Sequence, residues 1–245
     1  MQAIRNPMVG PQGHDPNAIL MANPNDDVLN AALPTDRVRS SHAARSWVPI
    51  RTLTPPDRTR VLEHLLALDT DDRVLRFGHV ASDDRIARYV EQLDFERDLI
   101  FGVFDRSLRL VAQAHLAFGH EAAAAETAGD VEAGEAEFSL SVLPRSRGQG
   151  MGSLLFDHAV TAARNRGVRR LWIHLLRENA AMLAIVRRSG AQIDFDGVDA
   201  TAQLQLPAES LLSRIDERIG HRAAELDYRR KLRELRIDLL KPAAR

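Results

Sequence analysis

The 245-residue chain contains no cysteine, which excludes disulfides, thiolate metal sites and a cysteine nucleophile. Neither charge is in excess, since 33 Lys and Arg stand against 34 Asp and Glu. The global basic field of a non-specific nucleic-acid binder is therefore missing, and no nucleic-acid partner is expected. No apolar run approaches the roughly 20 residues that a membrane helix requires. The N-terminal residues show neither the apolar stretch of a signal peptide nor the acid-poor composition of a transit peptide. The expectation is a cytoplasmic protein with no metal site and no membrane contact. Its length suits one domain of moderate size with extensions.

Composition divides the chain into three parts. Residues 1–45 scatter Pro, Asn, Asp and Gly without a sustained period, so they bury too little surface to offset their ordering entropy, and a disordered leader is expected. Residues 207–245 place Leu212, Ile215, Ile219, Ala223, Leu226, Leu232, Leu235 and Leu239 mostly three or four apart among dense charges, the pattern of a long amphipathic helix. Between them, residues 46–206 alternate strand and helix patterns. "WVPIRTLT" (47–54) predicts a strand, and 57–68 and 82–93 predict helices opened by acidic or Ser caps. "LIFGVFD" and "LRLVAQAHLAFG" predict strands joined by a tight turn at Asp105–Ser107. After an Ala- and Glu-rich connection come the strand "AEFSLSVL", a helix from Met151 ending at Gly167, the strand "LWIHLL", a helix over 179–190, and two weaker strands near "AQIDFDG" and "TAQLQL". This order describes an α/β domain with a mixed, mostly antiparallel sheet.

The stretch "SVLPRSRGQGMGSLLF" (141–156) puts Gly148, Gly150 and Gly152 between a strand and a helix start. Such a turn offers unpaired backbone N–H groups and the positive end of a helix dipole, and phosphate is its natural guest. A Walker loop would need a Lys after the glycines, and a dinucleotide fingerprint would follow the first strand of a parallel unit. Neither pattern fits well.

The wording "VLPRSRGQGMG" resembles the pyrophosphate loop of the GNAT superfamily of acyl-CoA-dependent N-acyltransferases, Arg/Gln-x-x-Gly-x-Gly/Ala, with Arg147, Gly150 and Gly152 in the defining places. "NAAMLAIVRRSGA" resembles a second family segment through Asn179 and Gly190, with Met182 where Ala is usual. "DRVLRFGHVASDDRIARYVEQLDFERDLIFGVFD" and "AEFSLSVLPRSRGQGMG" are similar to the acetyltransferase domain of Pat-type protein acetyltransferases, and the likeness covers about residues 46–200.

The resemblance implies a GNAT fold with acetyl-CoA as co-substrate. Its pantetheine arm would pair with backbone near Val142, and its pyrophosphate would rest on Arg147, Gly148, Gln149, Gly150, Met151, Gly152 and Ser153, with Asn179 close by. An amine would then attack the thioester directly. A lysine-type amine, of pKa about 10.4, must first lose a proton, so a base is needed. Glu137 is the candidate, and it matches the catalytic Glu proposed for Pat-like domains. A backbone N–H at Val142 or Leu143 would stabilise the oxyanion. The family's Tyr falls at Val186, which cannot donate a proton. A thiol of pKa about 8.5 can leave without full protonation, and His174 and His115 are the nearest other donors, although a strand histidine is more often simply packed.

Several readings stay open at this stage. The acceptor is a protein lysine or a small amine, and the competing class is a non-catalytic CoA-binding sensor or scaffold. Glu137 is otherwise a solvated charge at the sheet edge. The six acids from Glu121 to Glu137 either attract a cationic substrate or form a solvated hairpin tip. Arg73 and Arg76 bind an anion or pair with nearby acids. The stripe of the C-terminal helix must be covered by its own domain, a homodimer or another partner, and its "RRKLRELR" run is mildly basic.

Overall fold

The structure, a computed structural model, describes residues 47–119, 134–208 and 211–240. The expected leader and most of the acidic run after Glu121 lie outside these residues. In chain order the elements are β1 (Arg51–Thr52), α1 (Arg58–Leu66), α2 (Thr70–Phe77), α3 (Asp83–Glu91), β2 (Leu99–Phe104), β3 (Leu110–Phe118), β4 (Gly134–Val142), α4 (Met151–Asn165), β5 (Val168–Leu176), α5 (Ala180–Arg188), β6 (Gln192–Asp196), β7 (Asp199–Gln205) and α6 (Leu211–Leu240). Among the described residues the strands form one sheet in the order β1-β2-β3-β4-β5-β7-β6. Every neighbouring pair is antiparallel except β4 with β5.

Strand β2 explains why the sheet has two covered faces. All six of its residues are buried. Leu99, Phe101 and Val103 join the core beneath α4 and α5, whereas Ile100 and Phe104 join a second core beneath α1 and α3, as the period-two alternation of a strand requires. On the first face, α4 presents Leu155, Phe156, Ala159, Ala162 and Ala163. The alanines bring the helix close to the sheet, and Phe156 packs edge-on against Phe138 at 5.2 Å. Burying each such ring contributes about 1.5–3 kcal/mol. A Cβ at Gly102 would lie 2.6 Å from Leu110 and 2.9 Å from Leu53, so both buried side chains would have to shift to admit one.

The element boundaries follow local chemistry, with three differences from expectation. The strand expected over 47–54 shrinks to Arg51–Thr52, because Pro49 has no N–H to give a ladder and Pro55 opens a 3₁₀ turn. Residues 70–77 form a helix of their own, capped by the Asp69 carboxylate on the Asp72 N–H (2.8 Å) and ended by left-handed Gly78. The third concerns α6. Its expected apolar stripe is covered only in part, since Ile215, Ile219 and Leu226 are exposed whereas Ala223, Leu232 and Leu235 are half-buried beside buried Ala224. The helix docks on its own domain through Tyr228, whose ring meets Phe104 edge-on at 5.1 Å, and through polar pairs: Glu225 with Arg51 (2.9 Å), Glu217 with Asn165 (2.5 Å), and the Lys231 ammonium donating to the Phe104 carbonyl (2.9 Å). No helix among the described residues is long and apolar enough to cross a membrane.

Candidate active site

Parallel pairing between β4 and β5 runs only from Gly134↔Val168 to Glu137↔Trp172. Beyond that point β4 stays with β3 as far as Val142, β5 stays with β7 as far as Leu176, and the two strands part. The Leu143 N–H donates to Val111 O at 2.9 Å. Alternation in an antiparallel ladder then turns the N–H and C=O of Leu140 and Val142 away from β3, toward the gap. Val142 thus offers an N–H to the opening. Leu143, the other expected oxyanion donor, does not, because its N–H is held in the ladder.

The gap widens into a cleft of about 440 Å³ lined by β4, the glycine turn, β5 and α5. Gly148 and Gly150 have φ of 74° and 75°, the left-handed region that side chains disfavour, and a Cβ at either would point into open space. Gly150 precedes α4, whose N-terminus has no side-chain cap. The first intrahelical bond is Leu154 N–H to Gly150 O, so the N–H groups of Met151, Gly152 and Ser153 have no partner within the helix. This cradle suits a diphosphate. Arg147 donates to Val142 O (3.1 Å) and pairs with buried Asp72 of α2, tying the turn to two other elements.

Of the residues expected to hold the co-substrate, Val142, Arg147, Gly148, Gly150, Met151, Gly152, Ser153 and Asn179 line the cleft. Gln149 is exposed and does not line it. Asn179 caps α5 by accepting from the Met182 N–H at 3.0 Å. Glu137 is exposed and also stands outside the lining, at the last paired position before the strands part and on the same face as Ser139 and Ser141. Val186 is fully buried in the core.

The structure adds groups that the sequence reading passed over. Arg188 lines the cleft and donates to Ser153 Oγ at 2.9 Å. It stands four and seven residues from Ala184 and Ala181 on one stripe of α5, a spacing visible in the sequence. His64 of α1 is buried and must donate from Nδ1 to the Leu110 carbonyl (2.9 Å), so its Nε2 accepts from the Ser141 hydroxyl (2.8 Å). Ser141 then faces the cleft with lone pairs only, as an acceptor for an incoming N–H.

A second chain of contacts begins at buried Asp98. Burial opposes its ionisation, but hydrogen bonds from His115, Arg97 and the Phe118 N–H overcome that and hold it well below the usual carboxylate range. His115 donates from Nε2 to Asp98 (3.0 Å), Tyr89 donates to His115 Nδ1 (2.9 Å), and Arg76, which lines the cleft, donates to the Tyr89 oxygen (2.9 Å). Arg73 is instead paired with Asp83 and three carbonyls. His174 lines the cleft and contacts Thr201 at 3.3 Å.

Comparisons with known proteins agree with this architecture. The model of the acetyltransferase (GNAT) family matches residues 62–191. The GNAT domain of S. lividans PAT superposes with a TM-score of 0.52 at 21% identity, covering 64% of this chain and 89% of that one. An acetyltransferase of the GNAT family from Streptococcus pneumoniae superposes with a TM-score of 0.50 at 14% identity, covering 66% of this chain and all of that one. At these identities the likeness shows the fold. No curated protein matches the chain.

Proposed function

The chain belongs to the acetyltransferase (GNAT) family, and from that membership we propose that it moves an acetyl group from acetyl-CoA to a primary amine, on a protein lysine or a small molecule, by direct attack with both substrates bound. One observation carries the reading: an unpaired β4 edge and an uncapped helix N-terminus behind two left-handed glycines meet in a single cleft. A ligand with amide groups along an extended arm and a diphosphate at its end needs both.

Acetyl-CoA, when bound, supplies the activated thioester. The N–H groups from Gly148 to Ser153 hold the diphosphate, with Arg188 adjoining Ser153. Leu140 and Val142 pair with the arm, and the Val142 N–H is placed to polarise the carbonyl. Glu137 takes the proton from the ammonium, through a water given its place just beyond the lining, and Ser141 orients the freed amine. The Tyr89–His115–Asp98 chain holds Arg76 in place as a fixed positive charge on the same face of the cleft.

Calorimetric titration with acetyl-CoA tests the first half. Binding to the wild type that is lost in Gly150→Glu, which puts bulk and negative charge into the cradle, supports the reading; no binding to either protein overturns it. For the second half, Glu137→Gln should abolish thiol release from acetyl-CoA with an amine while leaving its affinity unchanged. Burial of Val186 where the family's Tyr would stand favours a second reading, a CoA-binding module without turnover. Tight binding with no thiol release from the wild type across lysine peptides and small amines would establish that alternative.

A further inference from the structure

Helix α4 borders two hollows. Its N-terminus lines the cleft described above, while His158 and Asn165 on its later turns and Arg166 just after it line a separate open cavity of about 650 Å³, bordered also by Thr52, Leu99 and α6. From α6 come Arg214, Glu217, Arg218, His221 and Arg222. Apart from Arg214, three guanidiniums, Arg166, Arg218 and Arg222, thus face one carboxylate, and that carboxylate already accepts a hydrogen bond from Asn165 at 2.5 Å.

The arrangement of these charges within α6 is unusual. Arg214, Arg218 and Arg222 stand four residues apart, so like charges stack on one edge of the helix, where each such pair is unfavourable. Later in the same helix every cation of the "RRK" run has an acid within one turn: Arg229 with Glu225 (3.0 Å), Arg230 with Asp227 (3.0 Å) and Lys231 with Asp227 (2.8 Å). Among the described residues Arg218 and Arg222 make no ion pair and no side-chain hydrogen bond. Arg233 and Arg236, the remaining cations of the "RRKLRELR" run, are exposed but line neither hollow, so the basic residues of α6 that gather at a cavity are this row.

The other lining groups agree. Burial pushes the Arg166 guanidinium below its ordinary value, opposed by Glu217. It pushes His158 down as well, with Glu217 opposing and His221 reinforcing the shift. The Arg166 guanidinium carries its charge at a desolvation cost that an anion would offset.

We propose that this cavity binds a small molecule carrying two or more phosphate charges, gripped by Arg218 and Arg222 with Arg166 opposite. One carboxylate would leave most of the guanidinium charge unbalanced, whereas a diphosphate presents several oxygens in the geometry that guanidinium forks match. The cavity, about 650 Å³, leaves room for the phosphates to belong to a larger molecule. Nothing in this site depends on the acyl-transfer reading.

Inorganic pyrophosphate is the probe, titrated by calorimetry into the whole protein. It can enter either the glycine cradle or this cavity, so two variants separate them. The cavity site predicts binding that survives in Gly150→Glu and weakens roughly tenfold or more in R218Q/R222Q. In R218K/R222K, which keeps the charge but removes the forks, affinity should fall between the two. Both arginines are exposed, and matching thermal melts establish that the variants remain folded. Binding abolished by Gly150→Glu yet unchanged in R218Q/R222Q overturns the proposal, as does a wild type that binds no pyrophosphate up to about 1 mM.

Discussion

Mild acid should destabilise this protein well before its carboxylates titrate, and His64 is the main reason. The imidazole is 2% exposed, and both its nitrogens are committed in the neutral form, one donating to Leu110 O and the other accepting from Ser141. A second proton would be buried and would displace the Ser141 hydroxyl. Burial, opposed by the Leu110 carbonyl and assisted by the charge of Arg76, pushes the pKa from 6.5 down to about 4. In the unfolded chain His64 takes its proton near the ordinary value, and in the native chain only near the lower one. Between the two the unfolded state binds more protons, so stability falls as pH falls. The loss is negligible above about pH 7.5, reaches about 2 kcal/mol at about pH 5 and levels off at about 3 kcal/mol below about pH 4. Asp98 and Glu225, both held below their ordinary values, lose their contribution only at lower pH. Urea unfolding of the wild type and His64→Gln across this range is the assay. The variant should be less stable at neutral pH and should lack most of the decline, with a remainder from buried His158. A wild-type curve flat from about pH 7.5 to 5, or a decline that His64→Gln leaves intact, refutes the reasoning.

Other expectations are more local. Gly102→Ala puts a methyl group 2.6 Å from Leu110 and 2.9 Å from Leu53, an overpacking that should lower the urea midpoint by the equivalent of about 1–3 kcal/mol. Asn179→Ala removes the cap of α5 and should cost about 1 kcal/mol, together with weaker acetyl-CoA binding in calorimetry. Tyr89→Phe breaks the link between Arg76 and His115. If that chain places the Arg76 charge for turnover, kcat should fall with the acetyl-CoA KM unchanged and the pH–rate profile displaced; unaltered kinetics would make the chain structural.

What the sequence disclosed and what it hid divide along physical lines. The glycine turn was legible because left-handed backbone and close approach leave few residue choices, and Gly148, Gly150 and Gly167 all have positive φ. Helix α4 runs to Asn165, as the apolar spacing and Gly167 require. The docking face of α6 was not legible. Apolar periodicity marked Ile215, Ile219 and Leu226, yet these are exposed, and the contact is made by Ala224, Tyr228 and charged residues reaching partners remote in the chain. Arg51 lies 4.3 Å above the Tyr228 ring while also pairing with Glu225. A hydrophobic stripe identifies a docking face only where burial is apolar, and a helix held by ion pairs and stems gives no such signal. The buried Asp72 illustrates the same limit: in the sequence it is one acid among several, and only folding sets it against Arg147.

The two halves of the site differ in kind, and this decides how far each can be read. The half that would hold CoA is made of backbone groups on a local stretch, Leu140 to Ser153, and its requirements are imposed on glycines that a sequence displays directly. The half that would face the acceptor is made of side chains from α1, α2, α3, β3 and β4 and of Asp98 just before β2, brought together by the register Ser139↔His115 and Ser141↔Gln113. Asp98, His115 and Tyr89 lie up to 26 residues apart and share no spacing rule. Their order has meaning only because Asp98 is ionised, which fixes the His115 proton on Nε2 and leaves Nδ1 to receive the Tyr89 hydroxyl. The same logic fixes Ser141 through His64. On this face two imidazoles each hold a hydroxyl in one orientation, one through a carboxylate and one through a carbonyl. Glu137 is therefore the strongest base candidate by position along the strand, whereas the polar order that would steer an amine toward the thioester comes from groups that no motif names.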